Sequence, residues 1–297
     1  MASSTIEKQP IATSKSVERK ESKSKPEVII IQPVHGWSAL RLGELWQYRD
    51  LLYFLVWRDL KGRYRQTAFG PLWIVAQPLF SMVLYTIIFG MIAKLPSDGR
   101  PYAIFSYSGL LPWSFLNDCL GSGLNSLLGG SALFSKVYFP RLLIPLSRLI
   151  SQLIDFFISF FFLIVLMVIY NVQPTWGIVF LPVLLLLMAI LGVGIGLWFS
   201  GFIVRFRDFG NIMGYFMRAW MYASPVVYAS SVVPPQWQTL YHLNPMTPVI
   251  EAFRWGTLGS PAPPLWSIGL AFLIAIPIFV GGLYKFKRDE RNIVDVI

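Results

Sequence analysis

The chain has little of what soluble enzymes are built with. Of its 297 residues only 13% are charged, one is cysteine and two are histidine. A single thiol, Cys119, excludes a disulfide framework and any multi-cysteine metal site, and reads as a small packing residue. With only His35 and His242, histidine-based catalysis has little to work with. The phosphate-loop pattern G-x-x-x-x-G-K-[ST] and the zinc pattern H-E-x-x-H are both missing. The chain is therefore expected to hydrolyse no ATP and to bind no metal or cofactor itself. Asp118, Asp155 and Glu251 stand in different apolar stretches, and no acid-base pair can be read from their positions.

What is present is apolar. Hydrophobic residues make up 55% and aromatics 16%, which points to an all-α integral membrane protein rather than a soluble domain. A spanning helix needs about 20 mostly apolar residues. Such runs fall at roughly 72–93, 104–128, 142–170, 176–204, 210–230 and 264–286, giving six transmembrane helices. The second is the weakest, interrupted by Pro112, Gly121 and Gly123 and carrying Asn117, Asp118 and Asn125.

The net charge of +10 does not indicate nucleic acid, because the basic residues sort by loop. The stretch up to Pro71 holds twelve Lys or Arg. Lys136, Arg141 and Arg148 follow span two, Arg205 and Arg207 follow span four, and Lys285, Lys287, Arg288 and Arg291 close the chain. The alternate loops offer only Lys94, Arg100 and Arg254. By the positive-inside rule both termini and the two basic loops are cytoplasmic. The organisation read from this is a disordered cytoplasmic tail at 1–27, without the apolar core of a cleaved signal peptide. A cytoplasmic segment at 28–71, the membrane domain at 72–286 and a short cytoplasmic tail at 287–297 follow.

Within the 28–71 segment, Val28 to Val34 is a short β-prone run. From Leu40 to Arg65 the sequence is amphipathic: Leu45, Tyr48, Leu52, Leu55 and Val56 recur at helical spacing, with Arg58, Lys61 and Arg65 on another side. This suits a helix in the membrane interface, touching lipid or the bundle, or alternatively one docked on a partner domain. The stretch Ser131 to Pro145 is a polar-apolar hinge between two membrane-length runs. It is either an ordinary loop or a contact surface for a motor, with Phe134, Lys136, Tyr138 and Arg141 as its candidate residues. Arg207 and Asp208, in the turn after span four, form a second candidate contact.

In span three, Arg148, Gln152, Asp155 and Ser159 share one helical face. An intramembrane charge should face protein or water, so these residues either line a hydrated path or bond to neighbouring helices or a second copy. Gly192 and Gly196 form a small-xxx-small pattern for close helix packing. Tyr107, Trp113 and Phe115 gather around span two, and Tyr215, Phe216 and Trp220 along span five. They are either an aromatic lining on which sugar rings can slide or the interfacial belt and lipid-facing packing common to membrane proteins. After Ser224-Pro225 and Tyr228, a Pro- and Trp-containing segment to Pro264 reads as re-entrant helices. Such backbone survives at membrane depth only under a cover of protein or a water-filled cavity, as expected of an outer gate.

Several long motifs then resemble one family in order. They are ELWQYRDLLYFLVWRDLKGRYRQTAFGPLW from Glu44, LLPW from Leu110, KVYFPRLLIPLSR from Lys136, RFRDFGN from Arg205, SPVVY from Ser224, LNPMTPVIEAFRW from Leu243 and the tail FKRDERNIVDVI. The chain resembles the membrane subunit of ABC-type polysaccharide exporters from about Val28 onward. The resemblance implies a homodimer of six-span subunits in a bacterial inner membrane, bound to two copies of a separate ATPase that holds the ATP and magnesium. It further implies a lipid-linked polysaccharide substrate, the hinge as coupling helix and the segment after Ser224-Pro225 as outer gate. A related exporter of drugs or small lipids is the alternative within transport. A secondary carrier would call for internal repeats and facing carboxylates, and neither is read here.

Overall fold

The computed structural model describes residues 48–64, 70–128, 143–206 and 208–293. The described residues contain no β-strand and all belong to one unit, Leu42–Ile297. Helix α1 is Arg49–Tyr64. Helix α2, Trp73–Tyr85, continues as a π-helical stretch, Thr86–Ile92. Then come α3 (Tyr102–Leu124), α4 (Leu143–Ile169) and α5 (Leu181–Arg205), the last entered through a 3-10 turn, Trp176–Phe180. Helices α6 (Phe209–Tyr222), α7 (Pro235–Tyr241), α8 (Met246–Leu258) and α9 (Leu265–Ile293) complete the set.

Four stretches are long and apolar enough to cross a membrane: Trp73–Ile92, Leu143–Ile169, Trp176–Arg205 and Leu265–Asp289. They coincide with the first, third, fourth and sixth expected spans. The second is a 23-residue helix, long enough but not apolar enough to join them. Its place in the bundle explains why. Helix α3 lies between α2, α4, α5 and α8 and is buried along almost its whole length. A helix that meets protein instead of lipid tolerates serines, an asparagine and an aspartate. The fifth expected span, 210–230, is helical only over 14 residues, about 21 Å at 1.5 Å per residue and shorter than a hydrocarbon core of about 30 Å.

Close approach of α3 and α5 rests on glycine. A Cβ added at Gly192 would stand 2.7 Å from the Leu116 carbonyl oxygen, and one at Gly123 would stand 2.6 Å from that of Val193. At Gly196 it would strike the Leu120 carbonyl. The expected Gly192 and Gly196 pair thus sets backbone against backbone, as small residues do between membrane helices, with the buried Cys119 in the same seam. On the other side of α5, the Trp198 Nε1–H donates to the Ile278 carbonyl (2.8 Å) and ties in α9.

Helix α1 docks on the start of α4. Leu55 packs with Leu143 and Ile144, and Tyr48, Leu51 and Leu52 pack around them. Of the two placements open for its aliphatic face, the bundle is the one observed. Tyr53, Phe54 and Trp57 stay exposed on the helix's other side, an aromatic surface suited to the interface. The run Val28 to Val34, the tail 1–27 and the first part of the amphipathic stretch lie outside the described residues.

Candidate functional site

The coupling candidates Phe134, Lys136, Tyr138 and Arg141 lie outside the described residues, as does Arg207. Asp208 is described: it is exposed, and its carbonyl accepts from the amides of Asn211 (3.0 Å) and Ile212 (3.2 Å), starting α6. An acidic side chain at a helix N-terminus is favourably placed against the helix dipole.

The polar face of α4 is turned toward its neighbours. Arg148 donates to the Asn125 carbonyl (3.3 Å), and Gln152 Nε2 donates to the Asp118 carbonyl (2.7 Å). Asp155 accepts from Arg63 Nη1 of α1 at 2.7 Å, and the other Arg63 nitrogen pairs with Asp59 one turn earlier. The Ser159 carbonyl accepts from the buried Tyr107 hydroxyl (3.1 Å). All four positions therefore bond to other helices, and Gln152, Asp155 and Ser159 also line a cavity of about 360 Å³ between α1, α2, α3 and α4. On α3, Ser114, Asn117 and Asp118 face the same space. The bonds to neighbouring helices are the reading observed, and three of the four residues also border the cavity. Arg63 had no part in the sequence reading, although its place one turn after Asp59 gives an i,i+4 pair visible in sequence.

The six aromatic candidates fall into two groups. Tyr107, Trp113 and Phe115 are buried in the bundle core, whereas Tyr215 and Phe216 are exposed on α6. Trp220 joins the groups: its ring meets Trp113 edge-on at 5.6 Å between centroids, and Phe216 lies 5.8 Å from it.

The segment after α6 is irregular yet buried from Ser224 to Val227. Buried carbonyls without partners are costly, and side chains from two helices, α3 and α8, supply the partners. Arg254 of α8 donates to the Val226 carbonyl (2.8 Å), to the Phe105 carbonyl (3.3 Å) and to the Ser108 hydroxyl (3.4 Å). Its guanidinium lies 3.7 Å over the Phe105 ring. The Tyr102 hydroxyl donates to the Val227 carbonyl.

Asn244 does similar work one step away. Its amide donates to the Ser224 hydroxyl (2.8 Å) and the Ala223 carbonyl (3.3 Å), while its Oδ1 accepts from Trp220 Nε1 (2.9 Å) and the Met246 amide (3.1 Å). Ser224 in turn donates to the Trp220 carbonyl (2.8 Å). Tyr228 donates to the Tyr222 carbonyl and accepts from the Tyr241 hydroxyl, both at 3.1 Å. Of the gate candidates, Ser224 is bonded to Trp220 and Asn244 and Tyr228 to Tyr222 and Tyr241, while Pro225 is buried between them in sequence. Arg254 and Asn244 were not singled out from sequence. The available signals were a lone cation in cation-poor loops and an Asn-Pro step before a helix, since Asn accepts from a backbone amide two residues on.

Comparison with known proteins bears on the whole arrangement. Residues 50–258 match the model of the ABC-2 type transporter family. The chain is 31% identical over 252 residues to the O-antigen export system permease protein RfbA of Myxococcus xanthus, covering 83% of this chain and 96% of that one. A protein of the same name from Klebsiella pneumoniae is 29% identical, over 84% of this chain and 95% of its own length. The inner membrane transport permease YadH of Escherichia coli K12 is 27% identical, over 80% and 99%. The order of helices described above runs through the matched stretch, and the chain belongs to the ABC-2 type transporter family of membrane proteins.

Proposed function

We propose that this chain is the permease subunit of an ATP-driven exporter that passes a lipid-linked polysaccharide, of O-antigen type, from the cytoplasmic to the outer side of the inner membrane. The observation that carries this reading is the similarity to O-antigen export permeases over 83–84% of this chain and 95–96% of theirs. In this reading two copies form the channel and each binds one separate ATPase, which holds ATP and magnesium. Both termini and α1 face the cytoplasm, and α3 and α6, the latter together with the buried irregular segment after it, complete six crossings. The hinge at 131–141 and the turn at Arg207 and Asp208 receive the ATPase.

Two features of the bundle support the division of labour. Tyr215 and Phe216 present aromatic faces outward from α6, where a sugar chain can slide on ring faces without tight binding at any one unit. Of the buried rings, Trp113 backs this face through its edge contact with Trp220, while Tyr107 and Phe115 pack toward α4. At the end of the bundle that holds α7 and α8, bonded irregular backbone can open only by exchanging hydrogen bonds, which suits a gate that stays shut until driven.

Deleting the gene and staining the cell surface for polysaccharide tests this. Surface polysaccharide is expected to be lost while lipid-linked polymer accumulates inside, and a plasmid copy restores it. Unchanged surface polysaccharide in the deletion strain overturns the reading.

A further inference from the structure

The cavity of about 360 Å³ between α1, α2, α3 and α4 is partly open and is not an apolar void. On the α3 side, Ser114, Asn117 and Asp118 project one polar stripe into it, spaced three and one apart on the helix. Asn117 and Asp118 are exposed by area although both residues that flank them, Leu116 and Cys119, are fully buried. Among the described residues no hydrogen bond or ion pair reaches the Asp118 carboxylate. Opposite, Gln152 is 7% exposed. Its Nε2 is spent on the Asp118 carbonyl, and its Oε1 has no hydrogen-bond partner. A buried amide oxygen left without a donor is costly, so a donor is expected to sit against it when the site is filled.

The chemistry of the walls narrows the ligand. The polar side offers the Gln152 oxygen and the Asp118 carboxylate as acceptors, and Gln77, Ser81 and Asn117 beside them can both donate and accept. With Asp118, Asp155 and Arg63 together the cavity carries a net negative charge, which repels phosphate and attracts hydroxyl or amine hydrogens. The apolar lining includes the rings of Trp73, Trp113, Phe115 and Phe156 beside the aliphatic Ile74, Leu110 and Leu111. The electron-rich face of such a ring attracts polarised C–H bonds. Acceptors on one side and ring faces on the other match a sugar ring, whose hydroxyls donate at its edge and whose C–H bonds cover its face. Among the described residues no group of three or more His, Cys, Asp or Glu could hold a metal ion, so a divalent cation is poorly served. The volume is at the low end of small-ligand pockets, about 300–1,000 Å³, and suits one or two sugar units.

We infer that each subunit carries its own sugar-binding pocket between α1, α2, α3 and α4, which takes an uncharged or amino sugar and excludes phosphate. The inference rests on the export reading for the supply of sugar in the cell. It adds a holding site inside each subunit, separate from the aromatic face of α6. A terminal sugar of the polymer seated there would be held by hydrogen bonds to Asp118 and Gln152 while its phosphate-bearing end stays outside.

The test uses the full-length protein in a detergent without a sugar headgroup and saturation-transfer NMR with the methyl glycosides of glucose, galactose, mannose, rhamnose and N-acetylglucosamine. At least one glycoside is expected to bind saturably in the wild type. Asp118→Asn and Ser114→Leu, the second of which fills the cavity without removing a described hydrogen bond, are each expected to weaken that binding by about fivefold or more. Asp98→Asn, at the other end of the bundle, is expected to leave it unchanged. Absence of saturable binding, binding that neither cavity variant weakens, or displacement of the sugar by magnesium or calcium chloride overturns the inference. Surface polysaccharide in the deletion strain is read separately, so the pocket can fail while the permease reading stands, and the reverse.

Discussion

Between Tyr102 and Gly109, the first turns of α3, the polar side chains are all bonded: Tyr102 to Val227, Ser106 and Ser108 back to their own helix, and Tyr107 across to α4. Arg254 fills the space beside them and takes three partners. Between Ser114 and Asp118, on the same helix, three polar side chains project into a cavity and no described hydrogen bond holds them. One end of the helix spends its polarity on holding irregular backbone in place, and the other keeps it available. In a bilayer neither arrangement comes free, so the first reads as a lock and the second as a site.

If that contrast is sound, the largest effect follows from removing the lock. Arg254→Met leaves the Val226 carbonyl without its described donor and takes one of two side-chain donors from the Phe105 carbonyl, which keeps the Ser108 hydroxyl; hydrogen bonds to charged groups are worth about 1.5–3 kcal/mol each. A loss of about 3 kcal/mol or more is expected, read as a large drop in thermal stability in detergent, with Arg254→Lys intermediate because it lacks the planar fork. A Met variant as stable as wild type would show that the guanidinium locks nothing.

Two glycines give a matched pair of smaller effects. A Cβ at Gly109 would meet Arg254 Nη2 at 2.6 Å and also the Val226 carbonyl, whereas one at Gly121 has nothing within 4 Å. Gly109→Ala is expected to cost about 1–3 kcal/mol by overpacking. Gly121→Ala should be neutral or stabilise by up to about 1 kcal/mol, since alanine is the better helix former. Equal effects at the two sites would erase the contrast. The smallest change is expected for Asp118→Asn, within about 0.5 kcal/mol of wild type, because no described bond is lost. A clear destabilisation would mean that the carboxylate has a structural partner.

The helices that face lipid were legible in the sequence, because lipid demands long apolar runs. Trp73–Ile92 and Leu265–Asp289 have only 11% and 22% of their most apolar stretches buried inside the bundle, and their runs stand out in the sequence. Helix α3 was the least legible: its environment is other helices, so its composition follows its neighbours rather than the bilayer. Length misled at span five, where the apolar run continues past Tyr222 into Ser224 to Val227, which is buried but not helical. Periodicity served well for the α4 stripe, where spacing alone put Arg148, Gln152, Asp155 and Ser159 on one face. It could not name Arg63, Asn125 or Asp118 as partners, since those pairings depend on how separate helices meet. Arg254 and Asn244 were hidden for the same reason, their bonds running to backbone atoms that sequence does not distinguish.

The most direct measurement for the exporter reading is purification of the full-length protein from native membranes in mild detergent, with its partners identified and ATP hydrolysis by the complex recorded. A stoichiometric ATPase that co-purifies and hydrolyses ATP is the expected outcome. A chain that purifies alone, and moves its substrate in vesicles without ATP, would place it among carriers that need no motor and remove the basis for the coupling roles proposed at 131–141 and Asp208.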